Sequence, residues 1–280
     1  MESWHALIAK LPFEWAHYRF MADALLAVLI CCPLFSLIGT MVVSNHLVFF
    51  SDVLGHSALT GIAIGVLMGL GDPQWAMVGF AIMLAIGVNA VKKYTSAAPD
   101  TVLGVFFSAI TALGIVILSR GGGFAKYTSF LIGDILAVGP VEIVRLCFAL
   151  LLVLLLWYIG GNALLLVSVS PSLARSRGRN VFLIETIFSM LLAVVVTISI
   201  RLVGILIINS LLVLPAAAAR NLARDTRAYT AWALLLSLIS GVSGLIASYY
   251  WGTASGPTIV LFAAFLYAVT AVLRPQFRKN

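Results

Sequence analysis

Residues 229–249 read YTAWALLLSLISGVSGLIASY, 21 consecutive positions without a charge. As a helix such a run crosses a hydrocarbon core of roughly 30 Å, which takes ~20 residues. The pattern recurs near 21–43, 47–70, 74–91, 101–118, 140–158, 181–200, 203–219 and 257–273, giving nine spans. Breakers separate them: Gly71-Asp72-Pro73, Ala98-Pro99-Asp100, Gly121-Gly122-Gly123 and the stretch from Gly252 to Pro257. Dropping the first run would leave eight.

Composition agrees with this reading. The chain of 280 residues is 62% hydrophobic and 10% charged, whereas soluble domains run about half apolar and about a quarter charged. Alternating strands are absent, so a β-barrel is not expected. Backbone groups in lipid must be satisfied internally, which leaves an all-α, polytopic bundle of eight or nine transmembrane helices. The domain plan is an interfacial segment at 1–20, a membrane domain at 21–273 and a tail at 274–280. Residues 1–20 carry acidic and aromatic residues and lack the apolar core of a signal peptide. Cys31, Cys32 and Cys147 lie in apolar segments and read as packing residues.

The net charge of +7 does not point to nucleic acid, because the cations sit in short loops without interleaved aromatics. They orient the bundle instead. With the C-terminus in the cytoplasm, the inner side holds Lys92, Lys93, Arg175, Arg177, Arg179, Arg220, Arg224, Arg227, Arg274, Arg278 and Lys279. The outer side holds Lys10, Arg19, Arg120, Lys126 and Arg201. Eleven against five places the N-terminus of the nine-span arrangement outside. Two segments are not plain loops. Residues 124–139 are too short to cross and too apolar to be free, and are expected to form a re-entrant half-helix. Residues 168–180 contain Ser170-Pro171 as a helix start and Gly178 as a stop, predicting a short cationic helix on the cytoplasmic face.

Ionisable residues within spans are costly and therefore candidates for function. Asp52 and His56, four apart in the second span, share one helix face. A carboxylate and an imidazole suit zinc, manganese or ferrous iron. A hydrogen-bonded pair tying two helices, or a proton relay, fits the same spacing. Gly55, Gly61 and Gly65 leave room for close helix approach. Asp134 is a candidate for an outer gate or for helix capping. Glu185 reads as an interfacial carboxylate, Asn209 as a hydrogen-bonding residue between helices, and His46 as a loop residue. The sequence holds neither a G-x-x-x-x-G-K-[ST] phosphate loop nor an H-E-x-x-H pair, so the chain is not expected to be an enzyme. Any ATP chemistry would lie in another subunit.

Six stretches carry a resemblance: FFSDVLGHSALTGIAIG (49–65), DTVLGVFFSAITALGIVI (100–117), FLIGDILAV (130–138), SPSLARSRGRNV (170–181), RLVGILIINSLLVLPAAAAR (201–220) and SGPTIVL (255–261). Individually moderate, in this order they are specific. From about residue 21 onward the chain resembles the permease subunits of zinc and manganese ABC importers, the ABC-3 family. Zinc-importing bacterial members are particularly similar. The resemblance implies a type II importer fold in a bacterial plasma (inner) membrane, working as a homodimer with the path along its interface. Asp52 and His56 match the family's metal-contacting pair. Two cytoplasmic ATPases would dock on a coupling helix matching Pro171, Ser172, Leu173, Ala174, Arg175, Ser176, Arg177 and Gly178. An extracytoplasmic metal-binding protein would deliver the ion, and transport would proceed by alternating access. The metal is cargo, zinc before manganese before iron, with no cofactor held permanently. A proton- or ion-coupled secondary metal carrier is the alternative. One departure is visible: Ser44-Asn45-His46 stands where family members often carry two adjacent basic residues.

Overall fold

Gly252, at φ 63°, ends the helix Thr226–Trp251, Pro73 precedes the helix Gln74–Tyr94 and Pro99 starts the helix Pro99–Arg120, while Gly121 to Gly123 lie outside the described residues. The computed structural model describes residues 2–10, 12–120 and 129–277. The chain runs through α1 (Glu2–Ile8), a 3-10 turn (Glu14–His17), α2 (Arg19–Ser44), α3 (Val48–Leu67), α4 (Gln74–Tyr94) and α5 (Pro99–Arg120). It continues through α6 (Ser129–Ile132), a second 3-10 turn (Ile135–Ala137), α7 (Pro140–Val169), α8 (Pro171–Ser176), α9 (Val181–Val203), α10 (Ile205–Leu222), α11 (Thr226–Trp251) and α12 (Ser255–Phe277). No strand occurs among the described residues.

Eight of these helices are long and apolar enough to cross a membrane. The run at 203–219 becomes the shorter α10, 18 residues long, packed among α2, α3, α11 and α12. Its brevity has a local cause. Gly204, at φ 88° and ψ 153°, is the single residue between α9 and α10 and turns the chain without a loop. α7 exceeds the expected span: it runs 30 residues, about 45 Å, because Gly160-Gly161-Asn162 do not break it. Pro171 then starts α8.

Small residues set the helix spacing, as expected where lipid is as apolar as the side chains. A methyl carbon at Gly39 of α2 would lie 2.0 Å from the Leu212 carbonyl oxygen of α10. One at Gly61 of α3 would lie 2.6 Å from the Met77 backbone of α4. Gly65 is similarly close to Pro73 and Ala76, whereas Gly55 leaves ordinary contact distances of 3.6 Å to α10. Of the three α3 glycines only Gly61 and Gly65 therefore enforce close approach.

The N-terminal segment lies against α2. The Trp4 indole donates to the Ala22 carbonyl at 2.9 Å, and His5 Nε2 meets Asp23 Oδ1 at 2.7 Å. The expectation for 124–139 falls partly on 121–128, outside the described residues. Its described part is α6, the turn at Gly133 and the second 3-10 turn. α8 starts and stops as Ser170-Pro171 and Gly178 suggested: Ser170 Oγ accepts from Leu173 N at 3.3 Å, and Gly178 has φ 70°.

Candidate functional site

α3 is largely enclosed, flanked by α4, α5, α9 and α10. Its 3.6-residue repeat points Ser51 and Gly55 at α10 and leaves Asp52 and His56 on a half-buried face beside α5. Ser51 Oγ donates to Asn209 Oδ1 at 2.5 Å, so Asn209 does bridge two helices. Thr60 Oγ1 donates to the Ile110 carbonyl of α5 at 2.6 Å. These bonds lock the rotation of α3 about its axis and hence the direction of the pair.

The His56 ring meets Phe107 of α5 edge-on at 5.1 Å between centroids, and Phe107 also contacts Phe49 at 6.2 Å. Among the described residues Asp52 and His56 have no ion pair and no hydrogen bond through their side chains. The pair does not tie α3 to a neighbouring helix of the same chain, as one reading of the spacing allowed. The described residues also contain no group of three or more His, Cys, Asp or Glu side chains placed to hold a metal ion. Two donors, one oxygen and one nitrogen, are what α3 offers; a four-coordinate ion would need further ligands from elsewhere.

The remaining candidates have ordinary structural partners or none. Asp134 is exposed and accepts from Leu136 N at 3.0 Å, capping the 3-10 turn. Glu185 lies on the first turns of α9 and lines cavities with Lys92 and Asn89. His46 adopts φ 56°, a left-handed conformation uncommon outside glycine. It reverses the chain between α2 and α3.

Two constellations were not foreseen. At the end of the bundle where α4 and α7 begin and α9 ends, Arg145 contacts both Asp72, at 3.0 Å, and the Gln74 side chain. Arg201 pairs with Glu142 at 3.2 Å. Burial pushes the Asp72 carboxyl up, but the Gln74 amide and the Arg145 guanidinium outweigh it and hold it below the ordinary value. At the same end the Gly133 turn crosses the α9–α10 joint backbone to backbone. A methyl carbon at Gly133 would lie 2.3 Å from Gly204 N, and one at Gly204 2.3 Å from the Ile132 carbonyl carbon. The glycines stand in FLIGD and RLVGI, 71 residues apart, so no local pattern could have paired them.

Comparison with known proteins sets this geometry in context. The ABC 3 transport family matches residues 17–274. The high-affinity zinc uptake system membrane protein ZnuB of Haemophilus influenzae is 32% identical over 260 residues, covering 92% of this chain and 99% of that protein. The manganese transport system membrane protein MntC of Listeria innocua is 28% identical, covering 92% of each. Among solved structures, PsaBC from Streptococcus pneumoniae in complex with Fab superposes with a TM-score of 0.81 over 100% of both chains at 24% identity, a likeness of fold. Matched over nearly its whole length and built as the same helical bundle, the chain belongs to the ABC 3 transport family, whose members are transport components rather than enzymes.

Proposed function

We propose that the chain is the permease of an ATP-driven importer of divalent transition-metal ions, with zinc the preferred cargo and manganese the next. The observation that carries this reading is the Asp52–His56 pair: half-buried on α3, oriented by the Ser51–Asn209 bond, and engaged in no side-chain hydrogen bond or ion pair among the described residues. A carboxylate and an imidazole one turn apart make a weak two-donor site for a borderline cation. Weakness suits transport, since the ion must leave as readily as it enters. A second copy of the chain, bringing its own pair to a shared axis, completes four ligands. The preference for zinc is supported by the similarity to ZnuB, while MntC keeps manganese in view.

In this reading ATP is bound and cleaved in a separate cytoplasmic subunit that docks on α8 and the following turn, Pro171 to Gly178. Its closure is passed through α8 into α7 and α9, which α8 joins and contacts, and the pair is exposed to each side in turn. An extracytoplasmic binding protein delivers the ion. The test is uptake of radiolabelled zinc and manganese into proteoliposomes holding the chain with its ATPase. Zinc accumulation that requires internal or external ATP as appropriate to orientation, and that manganese competes for weakly, is expected. Equal uptake without nucleotide would replace this reading with a secondary carrier.

A further inference from the structure

The end of the bundle opposite the Arg145–Asp72 pair is hollow. A cavity of about 580 Å³ lies between the last turn of α4, α8 and the first turns of α9. Lys92, Lys93, Arg175 and Arg179 line it, and Glu185 is the one carboxylate among its lining residues. None of those cations takes part in an ion pair within the described residues. Lys93 instead rests over the Phe182 ring at 4.7 Å and the Tyr94 ring at 5.6 Å.

Two further observations point to an anion. Asn89 lines the same cavity, is 8% exposed, and its side-chain nitrogen has no hydrogen-bond partner. That donor is closed off from solvent, and turning the amide about its Cβ–Cγ bond toward an acceptor in the cavity would relieve the cost of leaving it unpaired. Val181, the first residue of the 23-residue α9, also lines the cavity, which therefore receives the positive end of a helix dipole. We infer that this cavity binds the phosphate group of an anionic phospholipid, its headgroup seated between α4, α8 and α9.

The position selects lipid over other anions. The cavity opens where the spanning helices α4 and α9 have their ends, and a span of ~20 residues brings such ends to the headgroup layer; Tyr94 beside it is 84% exposed, as aromatics of the membrane interface are. Basic pockets between spans at such a level attract anionic headgroups. Asn89 sits about a turn deeper in α4 than Lys93. Nearby Asp100 and Glu185 temper the field of Lys92, which favours a monoanionic phosphodiester over a more highly charged ligand.

The full-length chain, alone and bound to its ATPase, is placed in nanodiscs of mixed phosphatidylglycerol and phosphatidylcholine, and retained lipid is read by native mass spectrometry. Selective retention of phosphatidylglycerol is expected. Joint Lys92→Gln and Lys93→Gln substitution should lower it about 30-fold for two lost cations. Arg227→Gln, in another loop of basic residues, should leave it unchanged. Asn89→Leu keeps every charge and should still lower retention severalfold, which covers the case of a double variant that does not fold. Equal retention of the two lipids, or wild-type retention in Asn89→Leu and the double variant, overturns the inference. So does displacement by millimolar inorganic phosphate, which would mark a free-phosphate site, or loss of the lipid on ATPase binding, which would mark an ATPase seat.

Discussion

The two ends of the bundle are built by opposite rules. At one, charged groups are matched: Arg145 with Asp72, Arg201 with Glu142, and the backbone of Gly133 pressed on that of Gly204. At the other, Lys92, Lys93, Arg175 and Arg179 surround open space and have no carboxylate within ion-pair distance among the described residues. A second cavity of about 550 Å³, reached by Asn45, His46 and Asp100, adjoins it through Asn89, Lys92 and Glu185. At the paired end Arg145, Asp72, Arg201 and Glu142 need nothing more from outside the chain to satisfy their charges. The hollow end does, and partners that bring negative charge or a docking surface belong there. Asp52 and His56 lie between the two.

The largest effect is expected midway. Asp52→Ala or His56→Ala removes one of two donors and should cut metal uptake at least about 100-fold, while the complex with the ATPase is recovered intact. Wild-type transport in either variant would leave the two ends with nothing between them to serve. At the paired end, Gly204→Ala should be the most damaging single methyl. Gly204 holds φ 88° and ψ 153°, a region essentially restricted to glycine, and the added carbon would collide with the Ile132 carbonyl group. Strain and overpacking together suggest a loss of about 3 kcal/mol or more, read as lowered thermal stability in detergent. Unchanged stability would mean that the crossing with Gly133 is loose.

A smaller change is expected at the hollow end. Arg175→Glu with Arg177→Glu reverses two charges on exposed positions of α8 and its C-cap. Stability should scarcely move, whereas affinity for the ATPase should fall about tenfold or more, near 1.4 kcal/mol. Copurification at wild-type yield would remove α8 as the docking helix. The smallest effect belongs to Asp72→Asn, because the ion pair with Arg145 is partly exposed and worth under about 1 kcal/mol. Its pH dependence is informative nonetheless. The folded carboxyl titrates below its unfolded value, so its stabilisation is complete above the ordinary carboxylate range and is lost as pH falls through the lower folded value. The stability gap between wild type and Asp72→Asn should therefore be present at pH 7 and close in acid, below about pH 4. A gap that persisted there would assign Asp72 a role other than its charge.

Much of this molecule is readable along the chain. A span is a length of apolar residues matched to a hydrocarbon thickness, which is a local rule, so 229–249 and its counterparts announce the bundle. Helical spacing alone places Asp52 and His56 on one face, and Ser170-Pro171 with Gly178 bound α8. Hydropathy is silent on which helices touch, because lipid and leucine are equally apolar and burial against either looks the same in sequence. Only the tertiary structure could join Gly133 to Gly204, Ser51 to Asn209, and Arg145 to Asp72 and Gln74. Only it could gather Lys92 and Lys93 with Arg175 and Arg179 around one cavity. Those contacts rest on close packing between distant segments, and packing is decided by shape in three dimensions.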